Sequence, residues 1–396
     1  MMIGPRNFRI ADHSAIRECR TAVHFLIEVQ RRRDFRTPCG LMGYDRFTLL
    51  PMTSRALRIV PVLLLCLASI LSFAQNGELK FSELGTCKLA SDQQIDNCRL
   101  GYRTWGTLSA ERSNAILFPT WFNGNSSNIA GFIGADKMLD PAKYFIVAID
   151  AFGDGVSSSP SNSTTQQGPA FPAFTTRDMA NAEYRLATET LHLTHVYAVM
   201  GVSMGGMQTF EWIVNYPGFM DFAVPIVGST RLTGYDLLLW HAEEDAAKAD
   251  PTWQNGRYAQ APPLGEVQAI HDMNLSTPAH YVREHPSETF DKTHSEYISK
   301  GILPFDANDW LAQLEAMIHH DVAHGGSLED AAKKVKAKVL VISAAQDHMV
   351  NPKPALDFAA LLGAKTLILE SDCGHLAPRC ESDKVFPAVR DFLDGK

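Results

Sequence analysis

The sequence has no excess of positive charge. Its formal net charge is −8 over 396 residues. Residues 1–74 hold 11 of the 36 Lys and Arg but only 5 of the 44 Asp and Glu, which leaves 25 basic against 39 acidic residues, a net charge of −14, for the rest. Nucleic acids and anionic lipids attract basic surfaces, so this balance argues against both as partners. We expect a small, neutral or weakly charged ligand instead.

Long apolar runs are also lacking. The run from Ile59 to Leu71 has 13 residues, whereas a membrane-spanning helix needs about 20. Two arginines precede it, and Ser72-Phe73-Ala74 supplies a small-x-small cleavage signal. This pattern predicts a signal peptide over Met52–Ala74, and hence export to the periplasm or the medium without a membrane partner after cleavage. Residues 1–51 show no periodicity, and we interpret them as a non-native upstream extension.

Cysteine is scarce once the signal peptide is removed. Of seven cysteines, four remain, in two pairs that are close in sequence: Cys87 with Cys98, and Cys373 with Cys380. An even, paired set in an exported protein predicts disulfides. A zinc site that uses Cys373, His375 and Cys380 is the alternative, but a second matching pair of ligands is lacking. We therefore expect no metal and no cofactor.

Ordinary proportions of hydrophobic (45%) and charged (20%) residues exclude a disordered chain. Residues 79–106 predict a β-hairpin with its turn at Ser91-Asp92. Nearly continuous apolar runs then predict strands at 115–118, 144–149, 196–200, 223–227, 339–342 and 366–369. Helical stretches at 177–191, 207–216 and 354–362 separate several of them. This alternation predicts an α/β fold, a mostly parallel sheet with helices on both faces.

One interval interrupts the alternation of strands and helices. Between residues 228 and 337 the sequence has helix-compatible patterns at 234–249, 280–300 and 308–323, but no convincing core strand. We interpret residues 231–330 as a helical cap inserted into a core formed by 75–230 and 331–396. The segment GVSSSPSNSTTQQG, residues 155–168, has the composition of a flexible linker. It follows a strand end, so a loop bordering the active site is the second interpretation.

A G-x-S-x-G motif follows one of the predicted strands. The run Gly201-Val202-Ser203-Met204-Gly205 lies between an apolar strand and a helix, which is the setting of the nucleophile elbow in the α/β-hydrolase fold. The glycines leave space where the strained turn approaches its neighbours. The sequence therefore predicts an α/β-hydrolase whose nucleophile is Ser203.

A serine nucleophile needs a base and an acid later in the chain. His375 follows the last apolar run, and Asp347 follows the run before it. The order Ser, Asp, His is that of the α/β-hydrolase fold. Asp372 is the alternative acid, although its place beside His375 on the same loop is more typical of a turn residue. Ser203, Asp347 and His375 are therefore the predicted catalytic residues.

The tetrahedral intermediate also requires backbone N–H donors for its oxyanion. We expect one of them to be the backbone N–H of Met204, the residue directly after the nucleophile. The other is expected from the loop after residues 115–118, with Phe122 preferred and Trp121 as the alternative.

Several motifs together resemble the homoserine O-acetyltransferase family. They are GVSMGGMQ with Glu211-Trp212, the run DPTWQNG at 250–256, and FDAN at 305–308. The resemblance extends from about Leu84 to the C-terminus. It implies an α/β-hydrolase with a helical cap that transfers acetyl from acetyl-CoA to an alcohol through an acyl-serine. It also places the family's nucleophile, acid and base on Ser203, Asp347 and His375, and it implies a homodimer.

The cap departs from the family pattern. Members that act on homoserine have an arginine and then a tyrosine after a Gly-Leu-Ala segment, whereas this chain has Gly265-Glu266-Val267-Gln268-Ala269-Ile270 and then Thr277. That arginine would grip the carboxylate of the amino acid, and acetyl-CoA is not expected outside the cytoplasm. We therefore predict an exported ester hydrolase acting on a small-molecule ester or acyl substrate. O-acetyl transfer is the second hypothesis, and a non-catalytic binding protein is a remote third.

Overall fold

The computed structural model describes residues 77–396. The predicted signal peptide and upstream extension lie outside this part of the chain and stay predictions. Within residues 77–396, no helix has both the length and the apolar character needed to cross a membrane.

Eight strands form one twisted α/β sheet in the order β1-β2-β4-β3-β5-β6-β7-β8. Pairing is antiparallel between β1 and β2 and between β2 and β4, and parallel from there on. The central strands are buried on both faces, which explains why their sequences are continuous apolar runs. The strands are β1 (Lys80–Lys88), β2 (Gln94–Trp105), β3 (Ala115–Pro119), β4 (Phe145–Ile149), β5 (Val196–Val202), β6 (Met220–Ile226), β7 (Lys338–Ala344) and β8 (Lys365–Leu369).

Helices connect the parallel strands and fill the interval between β6 and β7. Two of them begin with a capping box, at Thr175 with Asp178 and at Thr233 with Asp236. In each, the threonine hydroxyl accepts the backbone N–H of the aspartate, and the aspartate carboxylate accepts the backbone N–H of the threonine. The α-helices are α1 (Thr176–Arg185), α2 (Met204–Asn215), α3 (Gly234–Ala249), α4 (Gly265–Leu275), α5 (Pro278–Glu284), α6 (Phe290–Lys300), α7 (Ala307–Ile318), α8 (Leu328–Ala332), α9 (Lys353–Leu362), α10 (Ala377–Cys380) and α11 (Ser382–Leu393).

The interval between β6 and β7 differs from the sequence expectation in two places. The single helix expected at 280–300 is divided into α5 and α6, because Pro286 lacks an N–H and disfavours helical backbone at His285, whose φ and ψ are −125° and 85°. Helix α4 was not predicted at all. Its apolar and polar residues alternate too irregularly to mark one face.

The loop at 155–168 is fixed in place, so its interpretation as a flexible linker is wrong. Ser157 and Ser159 are fully buried. Ser161 donates from its backbone N–H (2.8 Å) and its hydroxyl (2.5 Å) to the carboxylate of Asp309 on α7. The loop therefore attaches the core to the inserted helices.

Candidate active site

Ser203 occupies a strained turn between β5 and α2. Its φ and ψ are 58° and −120°, a conformation that a non-glycine residue adopts only where the surrounding structure enforces it. A Cβ at Gly201 would lie 2.3 Å from the carbonyl oxygen of Gly205, and a Cβ at Gly205 would lie 2.5 Å from that of Pro119. Both positions therefore require glycine, and the turn holds the serine hydroxyl at the carboxyl edge of the sheet.

The structure brings the three predicted catalytic side chains into one hydrogen-bonded chain. His375 Nε2 lies 2.8 Å from Ser203 Oγ, and His375 Nδ1 lies 2.7 Å from Asp347 Oδ2. Asp347 Oδ1 accepts the backbone N–H groups of Met349 and Val350, each at 2.9 Å. The carboxylate is thus held by its own loop and orients the imidazole toward the serine.

Asp372, the alternative acid, makes no hydrogen bond to His375. Its carboxylate accepts two hydrogen bonds from Arg283 on α5, at 2.7 and 3.0 Å, and the Arg283 guanidinium lowers the pKa of Asp372. The carbonyl oxygen of Asp372 also accepts from the backbone N–H and the hydroxyl of Thr277. Asp372 therefore joins the His375 loop to the inserted helices.

Both pairs of cysteines form disulfides in the structure. Cys87–Cys98 joins β1 to β2, and Cys373–Cys380 closes the loop that contains His375. With Cys373 in a disulfide, the zinc alternative loses its thiolate ligands. A cluster of His280, Asp372 and Cys373 has suitably close ligand atoms, and it fails as a metal site for the same reason.

The two predicted oxyanion donors are available. Met204 is the first residue of α2, so its N–H has no acceptor within the helix. Among the backbone hydrogen bonds of loops and turns in residues 77–396, none uses the N–H of Phe122. Phe122 lines the same cavity as Ser203. The first turn of α2 also places the positive end of the helix dipole beside this cavity.

Ser203 and His375 open into a cavity of about 400 Å³. Its walls are largely aromatic and aliphatic, with a few polar side chains. The lining comprises Trp121, Phe122, Asn123, Phe132, Val202, Trp240, Gln268, His271, Asp272, Leu275, Met349, Leu376, Pro378 and Arg379. This volume and this mixture of walls suit a small organic molecule.

The family model for the alpha/beta hydrolase fold matches residues 114–378, the segment that contains all three side chains. The chain belongs to the α/β-hydrolase fold family. It is therefore an enzyme of a family that contains esterases and acetyltransferases, and the fold predicted from the sequence is confirmed.

Curated relatives of this α/β-hydrolase fall into two groups. It is 30% identical to a "probable esterase" of Corynebacterium glutamicum, over 79% of this chain and 94% of the relative. It is 29% identical to an ethyl acetate hydrolase of Pseudomonas veronii, over 76% and 90%. A homoserine O-acetyltransferase of Methanococcoides burtonii is 28% identical over 78% and 72%. The predicted resemblance to the last group is thus confirmed.

Solved structures show the same division. An acetylester hydrolase from Corynebacterium glutamicum superposes with a TM-score of 0.73 at 29% identity, covering 80% of this chain and 95% of its own. A homoserine O-acetyltransferase from Bacillus anthracis gives a TM-score of 0.72 at 26% identity, covering 80% and 98%. The backbone alone therefore does not distinguish hydrolysis from acetyl transfer.

A second, larger cavity of about 1040 Å³ adjoins the first, and Asn123, Gln268 and Asp272 line both. Burial raises the pKa of Asp309 to about 7. Burial, followed by the charge of Asp150, raises the pKa of Asp154 well above its usual value. Among the described residues that line this cavity, Lys300 is the one lysine or arginine. The larger cavity is therefore poor in cationic side chains.

Sequence reasoning missed three polar residues that line the smaller cavity. Gln268 and His271 lie on α4, a helix that the sequence did not reveal. Arg379 lies between the cysteines of the second disulfide, is exposed and lines the cavity. The one signal for Arg379 in the sequence was its position between two closely spaced cysteines, in the loop that contains His375.

We expect the Cys373–Cys380 disulfide to support catalysis as well as stability. Replacing both cysteines with serine should cost about 2–3 kcal/mol in the free energy of unfolding. It should also lower kcat by up to about 100-fold, because the loop holds His375 and a displacement of about 1 Å is that costly. Chemical denaturation and ester hydrolysis assays measure the two effects.

The double replacement of Cys87 and Cys98 is the matched control. It should lower stability by a similar amount and leave kcat unchanged, since β1 and β2 lie at the far edge of the sheet. If loss of Cys373–Cys380 also leaves kcat unchanged, that disulfide has a structural role alone.

Proposed function

We propose that the protein is an exported ester hydrolase that works through an acyl-serine on Ser203. The observation that carries the proposal is the hydrogen-bonded chain from Ser203 Oγ through His375 to Asp347, at 2.8 and 2.7 Å. That chain opens into a cavity sized for a small ester. The resemblance to an ethyl acetate hydrolase and an acetylester hydrolase supports a short acyl group.

In this mechanism His375 takes the Ser203 proton as Oγ attacks the ester carbonyl carbon. The backbone N–H groups of Met204 and Phe122 stabilise the oxyanion. His375 then gives the proton to the leaving alcohol oxygen as the ester C–O bond breaks. Water, deprotonated by the same imidazole, attacks the acyl-serine and releases the carboxylic acid, and the proton returns to Oγ. Asp347 stabilises the imidazolium in both halves.

The surroundings of the site favour water over acetyl-CoA chemistry. The phosphates of a nucleotide need arginine or lysine partners, and Lys300 is the one such residue among those that line the adjoining cavity. The predicted signal peptide and the two disulfides also support export, to a compartment where acetyl-CoA is not expected.

One observation keeps O-acetyl transfer as the second candidate. Residues 265–270 of the cap contain no arginine, and the α4 residues that line the cavity are Gln268, His271, Asp272 and Leu275. Arg379, however, lines the same cavity from the loop closed by the second disulfide, and none of the ion pairs of residues 77–396 involves it. A guanidinium there offers a carboxylate-bearing acceptor an alternative partner.

Product identification distinguishes the two candidates. Purified protein beginning after Ala74 is incubated with ethyl acetate or with acetyl-CoA, each with and without homoserine, and the products are identified by mass. We expect free acetate from ethyl acetate at a rate that homoserine does not change. Efficient formation of O-acetylhomoserine would overturn the hydrolase proposal in favour of acetyl transfer.

A further inference from the structure

A second histidine lines the cavity that contains Ser203. His271 lies on α4, and its side chain is 12% exposed. Its ring packs against Phe122, Trp240 and Trp310, with centroid distances of 5.6, 6.1 and 5.1 Å. It is therefore a polar group set into an aromatic wall.

A buried carboxylate holds this histidine by one nitrogen. His271 Nδ1 lies 3.2 and 3.4 Å from the two carboxylate oxygens of Glu243 on α3, whose side chain is fully buried. Burial raises the pKa of Glu243, while the contact with His271 lowers it. Within residues 77–396, Nε2 of His271 makes no hydrogen bond. The Glu243 contact therefore fixes the ring and leaves Nε2 for a ligand.

Packing alone gives no reason for this pair. A buried carboxylate and an imidazole are costly to desolvate, and two apolar side chains would fill the same space without that cost. Asn123 lines the same cavity as His271, and its backbone N–H donates to Gln313 at 3.0 Å, while its side-chain amide makes no hydrogen bond to the described residues. His271 Nε2 and the Asn123 amide are thus two polar groups without a protein partner in a largely apolar cavity.

We infer that His271, positioned by Glu243 and assisted by Asn123, forms a subsite for a hydroxyl group on the alcohol part of the ester. The inference rests on the proposed ester hydrolysis and names its substrate class, short-chain esters of diols or polyols. A hydroxyl fits because it both donates and accepts. When the His271–Glu243 pair carries one proton, Nδ1–H donates to the carboxylate and Nε2 can accept a hydrogen bond from the ligand. When the pair carries a second proton, Nε2 donates to the ligand. An ether or a carbonyl oxygen can only accept, so it pairs with the second state alone.

The test compares 2-hydroxyethyl acetate with propyl acetate, which has a methyl in place of the hydroxyl and the same number of heavy atoms. The measured quantity is kcat/KM for 2-hydroxyethyl acetate divided by kcat/KM for propyl acetate. In His271→Phe we expect this ratio to fall by about tenfold or more, because a site built to bind a hydroxyl discriminates strongly. His271→Gln, which keeps a hydrogen-bonding group, should retain most of the preference.

A purely structural role predicts a different result. If His271 is a packing residue, His271→Phe changes kcat/KM for both esters by the same factor, and an unchanged ratio overturns the inference. Thermal denaturation of each variant detects any general loss of folding.

Failure of the proposed hydrolysis is recognised separately. If the wild-type protein cleaves neither ester, the Ser203→Ala variant is titrated with both esters by NMR. We expect tighter binding of the hydroxyl ester, lost on adding His271→Phe. Equal affinities for the two esters, with and without His271→Phe, would overturn the subsite. This result does not depend on catalysis.

Discussion

Replacing Ser203 with alanine is expected to lower kcat for a small activated ester such as 4-nitrophenyl acetate by about 10⁴- to 10⁶-fold. In the proposed mechanism the hydroxyl oxygen forms the bond to the acyl group, and among the described residues no other side chain is hydrogen-bonded to His375 Nε2. Initial rates at saturating ester measure the effect.

The fold should tolerate this change. Ser203 makes its one side-chain hydrogen bond to His375, so removing Oγ unpairs His375 Nε2 alone, and His375 lines the cavity, where water can replace the hydroxyl. Circular dichroism and the thermal unfolding midpoint should match those of the wild type. An alanine variant that is folded and retains wild-type turnover would show that Ser203 is not the nucleophile.

Replacing Asp347 with asparagine is expected to lower kcat by about 10⁴-fold. Asparagine fits the space and can keep accepting from the N–H groups of Met349 and Val350. Its amide cannot stabilise the imidazolium of His375, and it favours the wrong tautomer. The same ester assay measures this loss.

Asp372→Asn is the matched control, since Asp372 lies three residues from His375 and was the alternative acid. Its carboxylate pairs with the exposed Arg283, and water screens such a surface pair, so its loss leaves no buried charge without a partner. We expect kcat close to that of the wild type. A large loss in Asp372→Asn together with a small one in Asp347→Asn would reverse the assignment.

The sheet and the elements around Ser203 could be predicted from local sequence. Strands buried on both faces are continuous apolar runs, as in β3 and β5, and the G-x-S-x-G motif is local because the turn at Ser203 needs its own glycines. Asp347 and His375 were identified from chain order after predicted strands. The fold itself then brings them within hydrogen-bonding distance of each other and of Ser203.

The polar residues that α4 contributes to the cavity could not be predicted in this way. The residues of helix α4 pack against α3 and α6 rather than on the sheet, so no apolar face with a clear period identifies it. The pairing of His271 with Glu243 joins residues 28 positions apart on different helices. Such contacts depend on how the inserted helices pack, which a single sequence does not specify.

The central claim is that an acyl group bonded to Ser203 is released by water, and mass spectrometry tests it most directly. The protein is mixed with 4-nitrophenyl acetate, quenched in acid within milliseconds, digested and mapped. In parallel, hydrolysis runs in ¹⁸O-labelled water. The account predicts an acetyl group on the peptide that contains Ser203, and one ¹⁸O atom in each released acetate. An acetyl group on another residue, or unlabelled acetate formed without an acylated Ser203, would contradict it.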